Sequence, residues 1–288
     1  MSIKLIADGT VDMPQETIET YDITLVPISV IIDGEVLQSR VEISAEEFYK
    51  RQRTAKSLPT TSQPTPQKFV EAFEEALKTH DQVLCICASS GLSGTINGAK
   101  QAANQFPAGK IVIHDSMTIA GAIGFQLIAA AKAIKAGADM DAALAAVRKT
   151  HKETELFFAV DDLTYLIKGG RIGKVAGAVG SFLNIKPVIT VDKSEGIYAP
   201  IARVRSFPST MRKMVDLAAE IVGEGRPGRF MVLHGEMDKE AAEIDVLLRQ
   251  RFDVKWLYTA KTSPAMGAHT GPRGMALVVA PGEWENQL

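Results

Sequence analysis

The sequence is poor in several things that would have fixed a function class. It holds two cysteines in 288 residues, too few for a disulfide scaffold. Cys85 and Cys87 lie two apart in a strand-like run, share a face and cannot easily bridge. No second cysteine pair exists to complete a metal site, so they read as reduced core residues. Charge of neither sign dominates, with 32 Lys and Arg against 34 Asp and Glu for a net charge of −2. A nucleic-acid or membrane-surface role therefore lacks electrostatic support. No apolar run approaches the roughly 20 residues that cross a bilayer, so no integral membrane segment is expected. The start "MSIKLIADGT" lacks the apolar core of a signal peptide, which predicts a cytoplasmic protein. Histidines number five, and no His/Cys/Asp/Glu spacing suggests a metal.

Hydrophobic residues make up 46% and charged residues 23% of the chain, enough for two globular domains with their own cores. Strand-like and helix-like segments alternate, which predicts an α/β fold. "IKLIADG", "TLVPISVIID", "QVLCICAS" and "KIVIHDS" read as strands. "SAEEFYKRQRTA" reads as a helix capped by Ser44, with Glu47 three residues on as the second half of a capping box. "SLPTTSQPTP" is too rich in Pro, Ser and Thr to be regular. Thr65 and Pro66 then open the helix "QKFVEAFEEALKTH", and "TINGAKQAANQF", "AGAIGFQLIAAAKAIKAG" and "DMDAALAAVRKTHKE" supply three more. The texture changes near residue 152, which places a domain boundary between 1–152 and 153–288. The second half opens with the strand "ELFFAV" and the glycine-laced "KGGRIGKVAGAVGSFLNIKPVITV", then alternates strands and helices to "ALVVA".

Residues 89–95, "SSGLSGT", follow a buried strand. A serine nucleophile on a strand-to-helix turn needs Gly-x-Ser-x-Gly, and the final glycine is absent. The stretch suits an anion site of hydroxyls and backbone N–H groups, or simply a helix cap with glycines that relieve crowding. "GEGRPG" at 223–228 fits a dinucleotide fingerprint in spelling alone, because it follows a helix and precedes a strand. "KGGRIGKV" has neither the first glycine of a P-loop nor its terminal Ser/Thr. No cofactor is implied. Lys168, Arg171 and Lys174, joined by Arg203 and Arg205, form either a solvated surface or a docking face for an acidic partner. Asp8 with Asp12, and Asp161 with Asp162, read as capping and turn residues. Four histidines lack a partner motif. His269 sits in "GAHTGPRG", where it is the titratable group of a small-residue loop and can donate to an anion.

Five motifs, "ADGTVDMP", "PTTSQPTP", "SSGLSGT", "GGRIGKVAGAVGSFLNIKPVI" and "HTGPRG", resemble those of the DegV family in order and spacing, across nearly the whole chain. That family includes the fatty-acid-binding subunits of bacterial fatty acid kinase. The resemblance implies two α/β domains with a long-chain, palmitate-like fatty acid between them. It also implies a non-catalytic lipid carrier in lipid transport and phospholipid metabolism, which presents the carboxylate to an ATP-dependent kinase subunit that makes the acyl phosphate. Carried onto this chain, the carboxylate ligands are Thr61, Ser62, Ser93 and His269, and Arg171, Arg203 and Arg205 face the kinase. Gly9, Ala120 and Arg273 depart from the usual motifs and leave these ligands in place. The acyl tail is worth roughly 11 kcal/mol for about 14 buried methylenes before binding costs; Val179, Phe182, Leu183 and Ile185 are apolar enough either to line its tunnel or to form a plain core. The rival reading is an esterase-like or phosphoryl-transfer enzyme built on Ser93 and His269; a third is a regulator that holds a smaller carboxylate.

Overall fold

A computed structural model describes residues 2–179 and 185–284. In chain order the elements begin β1 (Ile3–Asp8), α1 (Gln15–Thr20), β2 (Thr24–Val26), β3 (Ser29–Ile32), β4 (Glu35–Gln38), α2 (Ala45–Gln52), β5 (Thr60–Ser62) and α3 (Pro66–Leu77). There follow β6 (Gln82–Cys87), α4 (Thr95–Ala103), β7 (Ile111–Asp115), α5 (Gly121–Lys135), α6 (Met140–Glu153) and β8 (Glu155–Val160). The chain continues through α7 (Thr164–Lys168), α8 (Val175–Val179), β9 (Lys186–Val191), β10 (Tyr198–Val204) and α9 (Phe207–Val222). It ends with β11 (Pro227–His234), α10 (Asp238–Arg251), β12 (Asp253–Lys261), α11 (Pro264–Thr270) and β13 (Gly274–Pro281).

The expected α/β class is what the chain forms, in three sheets. Strands β2-β1-β6-β7 make a parallel sheet, β4-β3-β5 a small antiparallel one, and β10-β9-β8-β13-β11-β12 a mixed one. Alternation of side chains across the pleat sets the layers. Ile6, Val83, Cys85 and Cys87 face α3 and α4, with Phe69, Phe73 and Ile96. Leu5, Ala7, Leu84 and Ile86 face the opposite way, into α5 and α6. That helical layer also covers Leu156, Phe158, Leu233 and Val278 of the mixed sheet, so one continuous apolar cluster joins the two sheets. On the far side, Phe157, Phe230 and Leu277 pack under α9 and α10. The order of layers is α3/α4, parallel sheet, α5/α6, mixed sheet, α9/α10.

Three expectations need correction. "TLVPISVIID" is not one strand: Pro27, which has no N–H to give a ladder, separates β2 from β3, and the two join different sheets. "SLPTTSQPTP" is not wholly irregular: Thr60–Ser62 pair with β3 in register Val30↔Thr61. The capping box at α2 is half made, since Ser44 Oγ accepts the Glu47 N–H at 3.2 Å while the Glu47 carboxylate pairs with Arg51. Cys85 and Cys87 are free and buried, with sulfurs 3.7 Å apart. Gly223–Gly225 lie in a helix-to-strand loop between α9 and β11. Among the described residues no helix is long and apolar enough to cross a membrane.

Phe125 of α5 is fully buried and meets Trp256 and Trp284 edge-on, with ring centroids 5.6 and 5.2 Å away. Phe125→Ala is expected to cost about 3–5 kcal/mol. Because α5 is packed between both sheets, urea unfolding followed by far-UV circular dichroism and by tryptophan fluorescence should stay coincident as the midpoint drops. Two separate transitions in the wild-type protein would show that the sheets fold independently.

Candidate functional site

Strand β1 sends the chain to β2 on one side, while β6 lies on its other side. Beyond the carboxyl ends of β1 and β6 the connections diverge and leave a crevice, the usual ligand position in parallel sheets. Asp8 closes the strand ends. Fully buried, it accepts the N–H and hydroxyl of Thr10 at 2.9 and 2.5 Å and the Ala88 N–H at 2.7 Å. Burial pushes its carboxyl up and these bonds pull it back.

A cavity of about 290 Å³ occupies the crevice. Thr10 follows β1, Thr61 and Ser62 end β5, Ser93 belongs to the loop after β6, Arg171 follows α7, and His269 comes from the last turn of α11; all six line it. The four residues expected to share a site, Thr61, Ser62, Ser93 and His269, are thus brought together from segments more than 200 residues apart. Among the described residues the lining contains no Asp or Glu, and its one full charge is Arg171. Arg171 lies on this wall, its guanidinium donating to Gly169 O at 2.5 Å and more weakly to Leu92 O at 3.4 Å. Arg203 and Arg205 are exposed on and just after β10 and do not line the cavity.

The serine-rich loop works differently from a backbone anion cradle. Ser90 and Gly91 donate their N–H groups to Asp115 and to Ser89 Oγ, Leu92 and Ser93 to Ser89 O, and Thr95 to Ser93 Oγ. Most of the loop's N–H groups are thus used internally, and its hydroxyls are the main donors left. Ser93 Oγ lies 2.8 Å from Thr95 Oγ1. Ser89 faces away, donating to Gly196 O at 2.7 Å across the seam to the turn between β9 and β10. Gly91 packs against the same turn: a Cβ there would lie 2.7 Å from the carbonyl oxygens of both Glu195 and Gly196.

His269 Nε2 is 2.8 Å from Thr61 Oγ1, and its Nδ1 is buried without a hydrogen-bond partner among the described residues. Burial, helped by the nearby Arg171 charge, pushes its pKa down to about 4, so the ring is neutral at physiological pH. A neutral imidazole carries one N–H. Placing it on Nε2 satisfies that donor, because Thr61 Oγ1 accepts it and the Thr61 hydroxyl is left to donate into the cavity. Among the described residues Ser93 makes no hydrogen bond to His269; the hydroxyl joined to the imidazole is that of Thr61. Gly169 leaves room for the ring, since a Cβ at that position would sit 2.4 Å from His269 Nδ1.

Three lining residues, Ile119, Tyr198 and Met266, are shared with a second, apolar cavity of about 30 Å³ that continues to Leu156, Phe158, Leu233 and Met275. The polar cavity therefore adjoins an apolar pocket bounded by the residues just before α5, by α11 and by the mixed sheet. Of the residues expected to line an apolar tunnel, Phe182 and Leu183 and the Val179 side chain lie outside the described residues, and Ile185 is half-buried away from both cavities. Sequence reasoning missed Thr10, Gln63 and Tyr198 as lining residues; the position of "DGT" directly after the first strand was the signal that could have found Thr10.

The family model described as "Uncharacterised protein, DegV family" matches residues 2–282. A DegV domain-containing protein of Deinococcus radiodurans is 35% identical over 283 residues, covering 98% of this chain and 97% of that one. Among solved structures, a fatty-acid-binding DegV family protein from Thermus thermophilus superposes with a TM-score of 0.89 at 28% identity, covering 97% of this chain and 99% of its own. DegV of Bacillus subtilis, a fatty acid binding protein, does so with a TM-score of 0.88 at 28% identity over the same shares.

The depressed His269 pKa carries a stability consequence. The unfolded chain takes up this proton near 6.5 and the folded one only near 4, so the contribution of the neutral ring is complete above 6.5 and is lost as pH falls toward 4. Urea unfolding at pH 7.5 and 5 should show a smaller acid loss in His269→Gln than in the wild type. Gly169→Ala, which displaces the ring, should raise the His269 midpoint followed by NMR toward 6.5; an unmoved midpoint would mean that burial by this turn is not the cause.

Proposed function

This chain belongs to the DegV family, and from that membership and the cavity's chemistry we propose that it binds a long-chain fatty acid, carboxylate in the polar cavity and tail directed into the adjoining apolar pocket against the mixed sheet. The observation that carries the reading is the donor set. Thr61, Ser93 and Arg171 surround a space with no acidic side chain and open onto a wall of Ile119, Met266 and Phe158. A carboxylate only accepts hydrogen bonds, so hydroxyl donors beside one cation suit it. Each hydrogen bond to the charged head contributes about 1.5–3 kcal/mol, and the tail supplies most of the affinity through burial. Met266, unbranched and shared by both cavities, can change rotamer as the chain enters. The fatty-acid-binding relatives of known structure support this reading.

Thr61, oriented by His269, and Ser93 fix the head group, with Ser62 at the rim. In this role His269 acts through the Thr61 hydroxyl rather than as a base, and the protein itself performs no bond chemistry. The resemblance adds the destination: the carboxylate is presented to a separate ATP-using kinase, with Arg203 and Arg205 on the outer surface and Arg171 at the cavity as the cations it meets.

Native mass spectrometry of the purified protein, before and after extraction with organic solvent, tests the reading. One released fatty acid per chain is expected, and Thr61→Ala and Ser93→Ala should each weaken rebinding by about tenfold or more while the ligand-free melting temperature stays near that of the wild type. No bound lipid, together with no thermal shift on adding palmitate, would overturn it.

A further inference from the structure

On the side of the mixed sheet away from the cavity, α9 and α10 enclose an open groove of about 550 Å³. Its apolar surface comes from Pro208 and Met211 of α9 and from Val246 and Leu247 of α10. Val246 is 54% exposed, an unusual place for a valine on a helix crest. Along the outward face of α10 the exposed residues run Ala242, Glu243, Val246, Arg249 and Gln250, a single stripe at helical spacing.

The charges on this stripe are antisymmetric about Val246, with Glu243 three residues before it and Arg249 three residues after. Neither makes an ion pair among the described residues. Their neighbour Arg251, by contrast, is held by Asp216 at 2.6 Å and by Glu224. A helix with this pattern complements itself. Laid antiparallel on a second copy across a two-fold axis at Val246, each Glu243 faces the other copy's Arg249, the two valines meet at the centre, and Ala242 faces Gln250. The groove rim is also balanced, Arg212 and Lys239 against Glu240 and Glu243, so it offers no net attraction to a partner of one charge sign. We infer that this face pairs two copies of the chain through α10, leaving both cavities open on the opposite side of each mixed sheet. A contact built on one helix of 14 residues spans about 21 Å and falls short of the roughly 1,200 Å² typical of stable interfaces, so the association is weak and depends on concentration.

Sedimentation equilibrium of the full chain from micromolar to millimolar concentration, at low and high salt, tests this. A reversible dimer weakened by salt is expected. Glu243→Arg and Arg249→Glu should each weaken it by about tenfold or more, because each sets like charges against one another. The double variant should recover it with the signs exchanged. Circular dichroism of all three variants should match the wild type, since the side chains are exposed. A chain that stays monomeric throughout overturns the inference and leaves the groove to another occupant. A dimer indifferent to both single reversals also overturns it, by placing the contact elsewhere. Fatty-acid binding is expected to be unchanged in every variant, so this result and the head-group result stand or fall separately.

Discussion

The cavity depends on how closely two turns approach at one end of the molecule. Ser89 donates its hydroxyl to the Gly196 carbonyl, and Gly91 has no side chain where the carbonyls of Glu195 and Gly196 arrive. These contacts fix the distance between the end of the parallel sheet and the β9–β10 turn of the mixed sheet. Arg171 then reaches Leu92 O from the opposite side, and Ser93, two residues past Gly91, is placed on the cavity wall. A serine and a glycine outside the cavity lining thus decide where Ser93 and Arg171 stand on its wall.

Polarity inside the cavity follows from the same closeness. His269 is buried deeply enough to lose its charge, so its contribution is directional rather than electrostatic: it occupies one lone pair of Thr61 and aims the remaining proton. Among the described residues Arg171 is the one charged group of the lining, with no acidic lining residue to oppose it. Hydroxyls and one guanidinium in a partly desolvated space favour a singly charged acceptor over a neutral ester or an alcohol, which would leave the guanidinium under-used.

The apolar side of the site is not a separate compartment. It is bounded by Ile119 and Ala120 just before α5, by Met266 of α11 and by Leu156, Phe158 and Leu233 of the mixed sheet, all of them members of the core cluster that joins the two sheets. On the proposed function a bound tail would join that core, so occupancy and stability would be linked: any ligand that binds only the folded chain stabilises it as its site fills.

Much of this was legible in the sequence. The alternation of strand and helix patterns predicts the α/β class because burial on two faces or one leaves a period in the residues, and the resemblance to the DegV motifs is what implies Thr61, Ser62, Ser93 and His269 as one site. What the sequence could not supply was everything that depends on approach between distant segments. Local composition marked "TTS" as loop, yet pairing with β3 makes it a strand. Local charge marked Arg171 as surface, yet the seam turns it inward. "SSGLSGT" held three serines indistinguishable by composition, and only the packing of Gly91 sends Ser89 to the seam and Ser93 to the cavity. Periodicity is written in the order of residues, whereas these assignments arise from contacts between positions up to about two hundred residues apart, whose geometry exists only once the layers have packed.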